Sequence, residues 1–158
     1  MKKGLILGRF QPLHMGHLSL FESVIDDGND LLICIGSSNE YRTENNPYTS
    51  LERTRMIKSV LSKYDCKYDI FEIPDINNKE LYVKHLESMV PKFDLVYSGN
   101  KLVKRLFENA GYSVIIPNLI NREAWQGASI RQAMKVGEDW KMDVPASVAN
   151  IISEIELS

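Results

Sequence analysis

Two of the three histidines of this 158-residue chain lie three positions apart, in the segment GRFQPLHMGH. His14 and His17 follow a short apolar run, and Arg9 precedes them. If a strand ends near Gly8 and a helix begins near Gly16, both imidazoles lie at the helix entry, where free N–H groups and the positive dipole end favour an anion. Imidazoles there can donate hydrogen bonds to phosphate oxygens, and a guanidinium adds a planar donor fork. The segment therefore predicts an anion-binding turn.

Other chemistries that use similar residues are not supported. The chain has neither a GxxxxGK[ST] loop nor a GxGxxG loop, so phosphate binding does not use those loops. The two histidines lack an HExxH pattern and the nearest acidic residue is Glu22, which disfavours zinc ligation. No GxSxG elbow is present. We predict no protein ligands for a metal. A histidine near a helix start is often a cap, and His85 in LYVKHLESM is interpreted as structural or solvent-facing.

Short apolar segments alternate with amphipathic ones along the chain. The apolar segments predict strands at 4–8, 30–36, 68–73, 94–99 and 112–117. Most are continuously apolar, as expected for strands covered on both faces. The amphipathic segments predict helices at 17–26, 49–62, 79–88 and 101–109, and then at about 128–135 and 145–156. Strands joined by helical crossovers predict an α/β fold, a Rossmann-like doubly wound parallel sheet with C-terminal helices.

Residues at the ends of these segments support the helix boundaries. Thr49 and Glu52 are placed as a capping box, and Gly111 follows the fourth helix as a C′ residue. Pro145 is expected in the first turn of the last helix.

Polar residues cluster where predicted strands end. GRFQPLHMGH follows the first strand, GSSN the second and YSGN the fourth. In doubly wound sheets, ligands bind at the carboxyl ends of the strands, where the strand order reverses. The sequence therefore predicts a site at this edge.

Composition predicts one domain over residues 1–158, with 44% hydrophobic and 25% charged residues. A net charge of −2 does not indicate a nucleic-acid surface. Cys34 and Cys66 lack CxxC spacing and are interpreted as free thiols in a reducing compartment. The N-terminal apolar run is too short for a signal peptide or a membrane span, so we expect a cytoplasmic location with no membrane partner.

The motifs together resemble those of one enzyme family. GRFQPLHMGHL, LLICIGSS, NPYTSLER, IPDI, FDLVYSGNKLVKRLF and REAWQGASIR occur in the order and spacing of archaeal-type nicotinamide-nucleotide adenylyltransferases, within the HxGH nucleotidyltransferase superfamily. The resemblance covers nearly the whole chain. It implies strand order 3-2-1-4-5 and adenylyl transfer from ATP to nicotinamide mononucleotide (NMN), giving NAD and pyrophosphate. It also implies in-line attack without a covalent enzyme intermediate, Mg²⁺ on the triphosphate, and a homo-oligomer, with a hexamer as the expected assembly.

The resemblance also implies roles for individual residues. It implies that four residues contact phosphate in catalysis: His14, His17, Arg9 and Arg131. It implies substrate contacts at Gly8, Phe10, Gln11, Gly16, Gly36, Ser37, Arg53, Asn78, Tyr82, Gly99, Asn100, Ser129 and Ile130. Three of these have structural alternatives: an exposed helix face for Arg53, core packing for Tyr82, and a helix N-cap for Asn100.

Two departures from the family pattern affect these expectations. Gln126-Gly127-Ala128 stands where the family usually has Ser-Gly-Thr, so two phosphate-binding hydroxyls are missing unless Ser129 replaces one. We therefore expect weaker ATP binding or a substitute donor. Lys79 stands where many relatives have an asparagine that reads the carboxamide, a role that Asn78 could take instead.

The sequence is compatible with several alternative functions. The same chemistry could act on nicotinate mononucleotide, FMN or phosphopantetheine. A nucleotide sensor that retained the pocket but lost turnover is a second class. A tRNA-charging enzyme is disfavoured, because the chain is too short for an anticodon module and is not basic.

Overall fold

The computed structural model describes residues 2–117 and 125–157 of the chain, in which strands and helices alternate as predicted. The strands are β1 Lys3–Gly8, β2 Asp30–Ile35, β3 Tyr68–Glu72, β4 Leu95–Tyr97 and β5 Ser113–Ile115. The helices are α1 Met15–Asp26, α2 Ser50–Leu61, α3 Tyr82–Glu87, α4 Lys101–Asn109, α5 Gly127–Val136 and α6 Ala146–Leu157. Short 3₁₀ turns lie at Lys79–Leu81 and Lys141–Asp143.

The strands form one five-stranded sheet in the order β3-β2-β1-β4-β5. Every neighbouring pair is parallel. The central strand β1 pairs with β2 on one side and β4 on the other, so the strand order reverses between β1 and β4. This reversal places a crevice at the carboxyl end of β1. The predicted strand order is confirmed.

Helices cover both faces of the sheet, which explains the continuously apolar strands. Leu5 and Ile6 in β1 belong to different core clusters, as adjacent strand residues must. The Ile6 side is covered mainly by apolar residues of α1, α2 and α6. The Leu5 side is covered by residues of α3 and α4, including Phe107. Two covered faces hold β1 rigidly, and the turn that follows it is built on this strand.

Most helix boundaries agree with the predictions. Thr49 and Glu52 form the capping box of α2, and Gly111 has φ +95° just after the end of α4, as a C′ glycine does. The segment 79–88 is interrupted: a 3₁₀ turn capped by Asn78 precedes α3. Pro145 lies just before α6 rather than in its first turn, and its carbonyl accepts from the Ala149 N–H.

Cys34 is buried and Cys66 partly buried, and both are free thiols as predicted. Burial raises the pKa of the Cys34 thiol to about 12, so it is a neutral core residue. Across residues 2–117 and 125–157, none of the helices has the length and apolar character needed to cross a membrane.

The contact between β1 and β4 depends on a glycine. A Cβ on Gly4 would lie 2.7 Å from Cε1 of Tyr97 and 3.1 Å from Cγ1 of Val24. The Tyr97 hydroxyl donates to Asp27 Oδ2 at 2.6 Å and accepts from Asn29 Nδ2 at 3.0 Å. The ring therefore crosses β1 at a position where only glycine leaves room, and its hydroxyl is tied to the end of α1.

We predict that Gly4→Ala lowers the free energy of unfolding by about 1–3 kcal/mol, because the added methyl overpacks the contact with Tyr97 and Val24. Urea unfolding followed by circular dichroism measures the change. Lys2→Ala is the matched control at the same strand end, since Lys2 is exposed. Equal stability of Gly4→Ala and the wild type would contradict the close contact.

Candidate active site

The turn between β1 and α1 is held by buried residues on both sides of the histidine pair. Phe10 and Leu13 are buried in or against the core, and Phe10 has a left-handed φ of +54°. Gln11 is buried, and its side-chain amide donates to the Tyr48 carbonyl at 3.0 Å and accepts from the Tyr48 N–H at 2.9 Å. The turn is therefore attached to the segment that precedes α2.

His14 and His17 form a reciprocal capping box at the start of α1. His14 Nδ1 accepts from the Gly16 N–H at 3.1 Å, and His17 Nδ1 accepts from the His14 N–H at 3.1 Å. The two rings stack with their centroids 3.8 Å apart. A neutral imidazole that accepts at Nδ1 carries its proton on Nε2. Each ring therefore retains an Nε2–H donor that the helix cap does not use.

The environment keeps both imidazoles neutral. Burial, together with a smaller contribution from the charge of Arg131, lowers the pKa of His14 from 6.5 to about 4. Burial, followed by the neighbouring His14, lowers the pKa of His17 well below its ordinary value. Near neutral pH the pair therefore offers hydrogen-bond donors rather than positive charge.

Two glycines allow the rings to lie against the backbone. A Cβ on Gly16 would lie 2.8 Å from the His14 ring and 3.0 Å from the Trp125 carbonyl oxygen. A Cβ on Gly8 would lie 3.2 Å from His17 Nε2. These distances place Gly8 beside the proposed His17 donor atom. Substrate contact by either glycine stays a prediction.

Two arginines bring positive charge to the same turn. Arg131 of α5 donates from Nη1 to the Gln11 carbonyl at 2.9 Å, and burial together with the charge of Arg9 lowers its pKa. Arg9 is exposed, with Nη1 3.4 Å from Asn46 Oδ1. Neither guanidinium is in an ion pair with a carboxylate of residues 2–117 or 125–157. Their charges remain available to an anion beside the histidines.

The turn after β2 reaches the same edge of the sheet. The Gly36 N–H donates to the Gly8 carbonyl at 2.8 Å. Ser37 has φ +47°, and its hydroxyl donates to Asp75 Oδ1 at 2.9 Å. The Tyr82 hydroxyl lies 3.8 Å from where a Gly36 Cβ would be, while its ring packs against the core. Burial raises the pKa of Tyr82, so its hydroxyl is a neutral donor here. Core packing and proximity to the site are therefore compatible for this residue.

The segment after β4 contains the predicted YSGN motif. Asn100 Oδ1 accepts from the N–H groups of Leu102 and Val103, at 2.9 and 3.2 Å, and so caps α4. The Asn100 N–H donates to the buried Ser98 hydroxyl at 3.0 Å. The structural alternative for Asn100 is confirmed. Gly99 and Asn100 follow the strand next to β1, while their contact with a nucleotide remains a prediction.

Four residues predicted to contact substrate use their side chains within the protein itself, and their contact with a substrate stays a prediction. Phe10 and Ile130 are buried in the core, and the Gln11 amide is occupied by Tyr48. Arg53 is wholly buried, so the alternative of an exposed helix face is wrong.

The residues that depart from the family pattern lie at two helix starts. Gln126 is the N-cap of α5 but makes no side-chain capping bond, and Ala128 and Ser129 are exposed in the first turn. Asn78 Oδ1 accepts from the Glu80 N–H at 3.0 Å, and Lys79 is exposed beside it. Asn78 is therefore engaged as a cap, which limits its use as a carboxamide reader.

The site also contains partners that sequence reasoning did not select. Asn46 contacts Arg9, Tyr48 holds Gln11, and Asp75 accepts from the Ser37 hydroxyl. All three lie within the NPYTSLER and IPDI motifs. Their position in these motifs is the sequence feature that could have identified them as part of the site.

A sequence model of the family described as cytidylyltransferase-like matches residues 5–133. A nicotinamide-nucleotide adenylyltransferase of Picrophilus torridus is 43% identical over 98% of this chain and 92% of its own length. The protein of that name in Methanococcus aeolicus is 42% identical over 98% of this chain and 90% of its own length.

A solved structure supports the fold. A bifunctional NMN adenylyltransferase/ADP ribose pyrophosphatase of Francisella tularensis, complexed with AMP and Mn ion, superposes with a TM-score of 0.72 at 20% identity. The match covers 91% of this chain and 44% of that chain, so this chain spans under half of that protein. The chain belongs to the cytidylyltransferase-like family, and within it to the archaeal nicotinamide-nucleotide adenylyltransferases.

Proposed function

We propose that the protein transfers the adenylyl group of ATP to NMN, forming NAD and releasing pyrophosphate. The observation that carries this proposal is the stacked pair His14 and His17, with two neutral Nε2–H donors beside the guanidinium groups of Arg9 and Arg131. Relatives of that name, similar over nearly the whole chain, support NMN as the acceptor. The place of this reaction is NAD biosynthesis.

The arrangement suits in-line transfer without an enzyme nucleophile. A phosphate oxygen of the acceptor forms a bond to the α-phosphorus of ATP while the bond to pyrophosphate breaks, and pyrophosphate leaves with the electron pair. The protein binds and orients the two substrates and stabilises charge on the phosphates. The imidazole N–H groups supply directed hydrogen bonds, and Arg9 and Arg131 supply permanent charge.

We propose that Mg²⁺ is the divalent cation of the reaction. Among residues 2–117 and 125–157, no three His, Cys, Asp or Glu side chains lie together as a cation cage. Mg²⁺ commonly reaches such sites coordinated by substrate phosphates and water rather than by a protein cage. When bound, it neutralises part of the charge of the triphosphate.

The acceptor side is proposed at the turn after β2. Gly36, Ser37 and Tyr82 lie together there, with Lys79 at the start of the 3₁₀ turn that leads to Tyr82. The free thiols support a cytoplasmic location. A homo-oligomer, with a hexamer as the expected assembly, stays a prediction that light scattering after size-exclusion chromatography would test.

The first test is an acceptor panel. We expect pyrophosphate release from ATP and Mg²⁺ to be about tenfold or more faster with NMN than with nicotinate mononucleotide, FMN or phosphopantetheine, measured as kcat/KM. Tight binding of ATP without release of pyrophosphate would instead indicate a nucleotide sensor. A preference for nicotinate mononucleotide would contradict the assignment of NMN as the acceptor. It would indicate that the positive charge of Lys79 selects the carboxylate of nicotinate.

His17→Asn should separate the cap from the chemistry. An asparagine Oδ1 can accept the His14 N–H bond that His17 Nδ1 now accepts, but it offers no donor at the Nε2 position. We expect a loss of about tenfold or more in kcat, with little change in melting temperature. Steady-state kinetics and thermal denaturation check both parts. A variant that melts earlier but keeps its kcat would show that His17 serves only the helix.

The neutral histidines also predict how stability depends on pH. His14 has a folded-state pKa of about 4, whereas its ordinary value in an unfolded chain is 6.5. Between these values the unfolded chain binds more protons, so stability is fully present above pH 6.5 and is lost as the pH falls towards 4. The loss is on the order of 3 kcal/mol, at about 1.4 kcal/mol for each unit of pKa difference.

The measurement is urea unfolding of the wild type and of His14→Asn at several values between pH 7 and pH 4. The variant keeps an acceptor for the Gly16 N–H but does not titrate, so its stability should fall less over this range. Parallel curves for the two proteins would show that His14 titrates normally in the fold.

A further inference from the structure

Arg53 in α2 is a wholly buried cation, and within residues 2–117 and 125–157 each hydrogen bond of its side chain goes to a backbone carbonyl. Its Nε donates to Thr49 at 3.2 Å. Its Nη1 donates to Arg9 at 3.1 Å and Gly36 at 2.9 Å, and its Nη2 donates to Ser37 at 3.2 Å and Glu40 at 3.1 Å, with Ser38 at 3.5 Å. The guanidinium therefore joins three backbone segments that are distant in sequence.

A buried charge is costly unless its hydrogen bonds are satisfied. Arg53 forms no ion pair with a carboxylate in the described parts of the chain. Burial lowers the pKa of its guanidinium, and the more distant charges of Glu72 and Asp75 act in the opposite direction. The dipoles of the backbone carbonyls therefore stabilise the buried charge in place of a carboxylate. A side chain used only for packing would not need this arrangement.

The carbonyls that Arg53 holds lie at two unfavourable turns. Phe10 has φ +54° and Ser37 has φ +47°, values that side-chain-bearing residues rarely adopt. The Arg9 carbonyl belongs to the peptide that precedes Phe10, and the Ser37 carbonyl is itself an acceptor of Arg53. Such conformations persist only where surrounding contacts determine them, and they concentrate at functional sites.

These two turns carry the proposed site. The first leads from Arg9 to the histidine pair, and the second contains Gly36 beside the Tyr82 hydroxyl. They are also bonded to each other directly, through the Gly36 N–H and the Gly8 carbonyl. A group that fixes both turns sets the distance between the triphosphate side and the acceptor side.

We propose that Arg53 is a positioning residue for adenylyl transfer: its guanidinium holds the left-handed turns at Phe10 and Ser37 in one relative geometry and so aligns the two substrates. The expected effect of this residue on reaction rate rests on the proposed function. Its structural consequence, local loosening of two named segments, can be measured without any substrate.

The test compares Arg53→Lys with Arg53→Ala and with a matched control. A lysine ammonium keeps the charge but lacks the planar donor fork, so it cannot span carbonyls on three segments. We expect kcat/KM to fall about 100-fold in Arg53→Lys, most of it in kcat, because misplaced substrates lose alignment. Arg55→Ala is the control on the same helix, since Arg55 is exposed and pairs with Glu154 at the surface. It should retain wild-type kinetics.

Two further readouts exclude a purely structural role. Amide hydrogen exchange of Arg53→Lys, measured by mass spectrometry, should rise in residues 9–13 and 36–49 and stay unchanged in α4. Guanidinium at low millimolar concentration should restore part of the turnover of Arg53→Ala, about tenfold, whereas ethylammonium should not. A stabilising side chain without a positioning role would show neither effect.

Several outcomes would overturn the proposal. Arg53→Lys could keep its kcat/KM within about threefold of the wild type, its exchange could rise evenly over the whole chain, or it could fail to fold. Inactivity of the wild type with every acceptor would overturn the proposed function instead. The exchange comparison would still decide whether Arg53 holds the two turns.

Discussion

The two capping bonds that His14 and His17 accept at Nδ1 are the constraint on which the site depends. Each Nδ1 accepts a backbone N–H at the start of α1, and this use of one ring atom fixes the proton on the other. Aspartate would cap the helix equally well but has no donor, and serine has only one polar atom, which would have to both accept the capping bond and donate. Imidazole accepts at one atom and donates at another. The cap interpretation and the anion interpretation therefore describe the same two residues.

Charge and direction are supplied by different side chains at this turn. Both histidines are neutral mainly because they are desolvated; the charge of Arg131 adds to this for His14, and the neighbouring His14 adds to it for His17. The arginines stay charged at any working pH, but their long side chains aim less exactly than two stacked rings at a helix start. A triphosphate needs both kinds of group. Arg9 lies in the same turn after β1 as the histidines, and Arg131 reaches that turn from α5 through its bond to the Gln11 carbonyl.

Features with local sequence patterns were predictable, and features with remote partners were not. The strands, their α/β order and the capping box at Thr49 follow from apolar runs and short spacings, and the strand order followed from the family resemblance. The start of α1 was placed two residues late, because the cap is a histidine rather than one of the usual residues. The burial of Arg53 could not be predicted, because its carbonyl partners lie up to 44 positions away. Every residue has a backbone carbonyl, so no residue type in the sequence identifies these partners.

The start of α5 shows how the fold accommodates the missing hydroxyls. Gln126, the N-cap residue of α5, makes no side-chain capping bond there. Arg131, one turn into the helix, bonds the Gln11 carbonyl and so ties α5 to the histidine turn. A Cβ at Gly127 would lie 2.8 Å from Arg131 Nη1, so glycine there lets the guanidinium fold back towards the turn. Attachment of α5 thus depends on the glycine and the arginine of the motif, the two features that this chain retains.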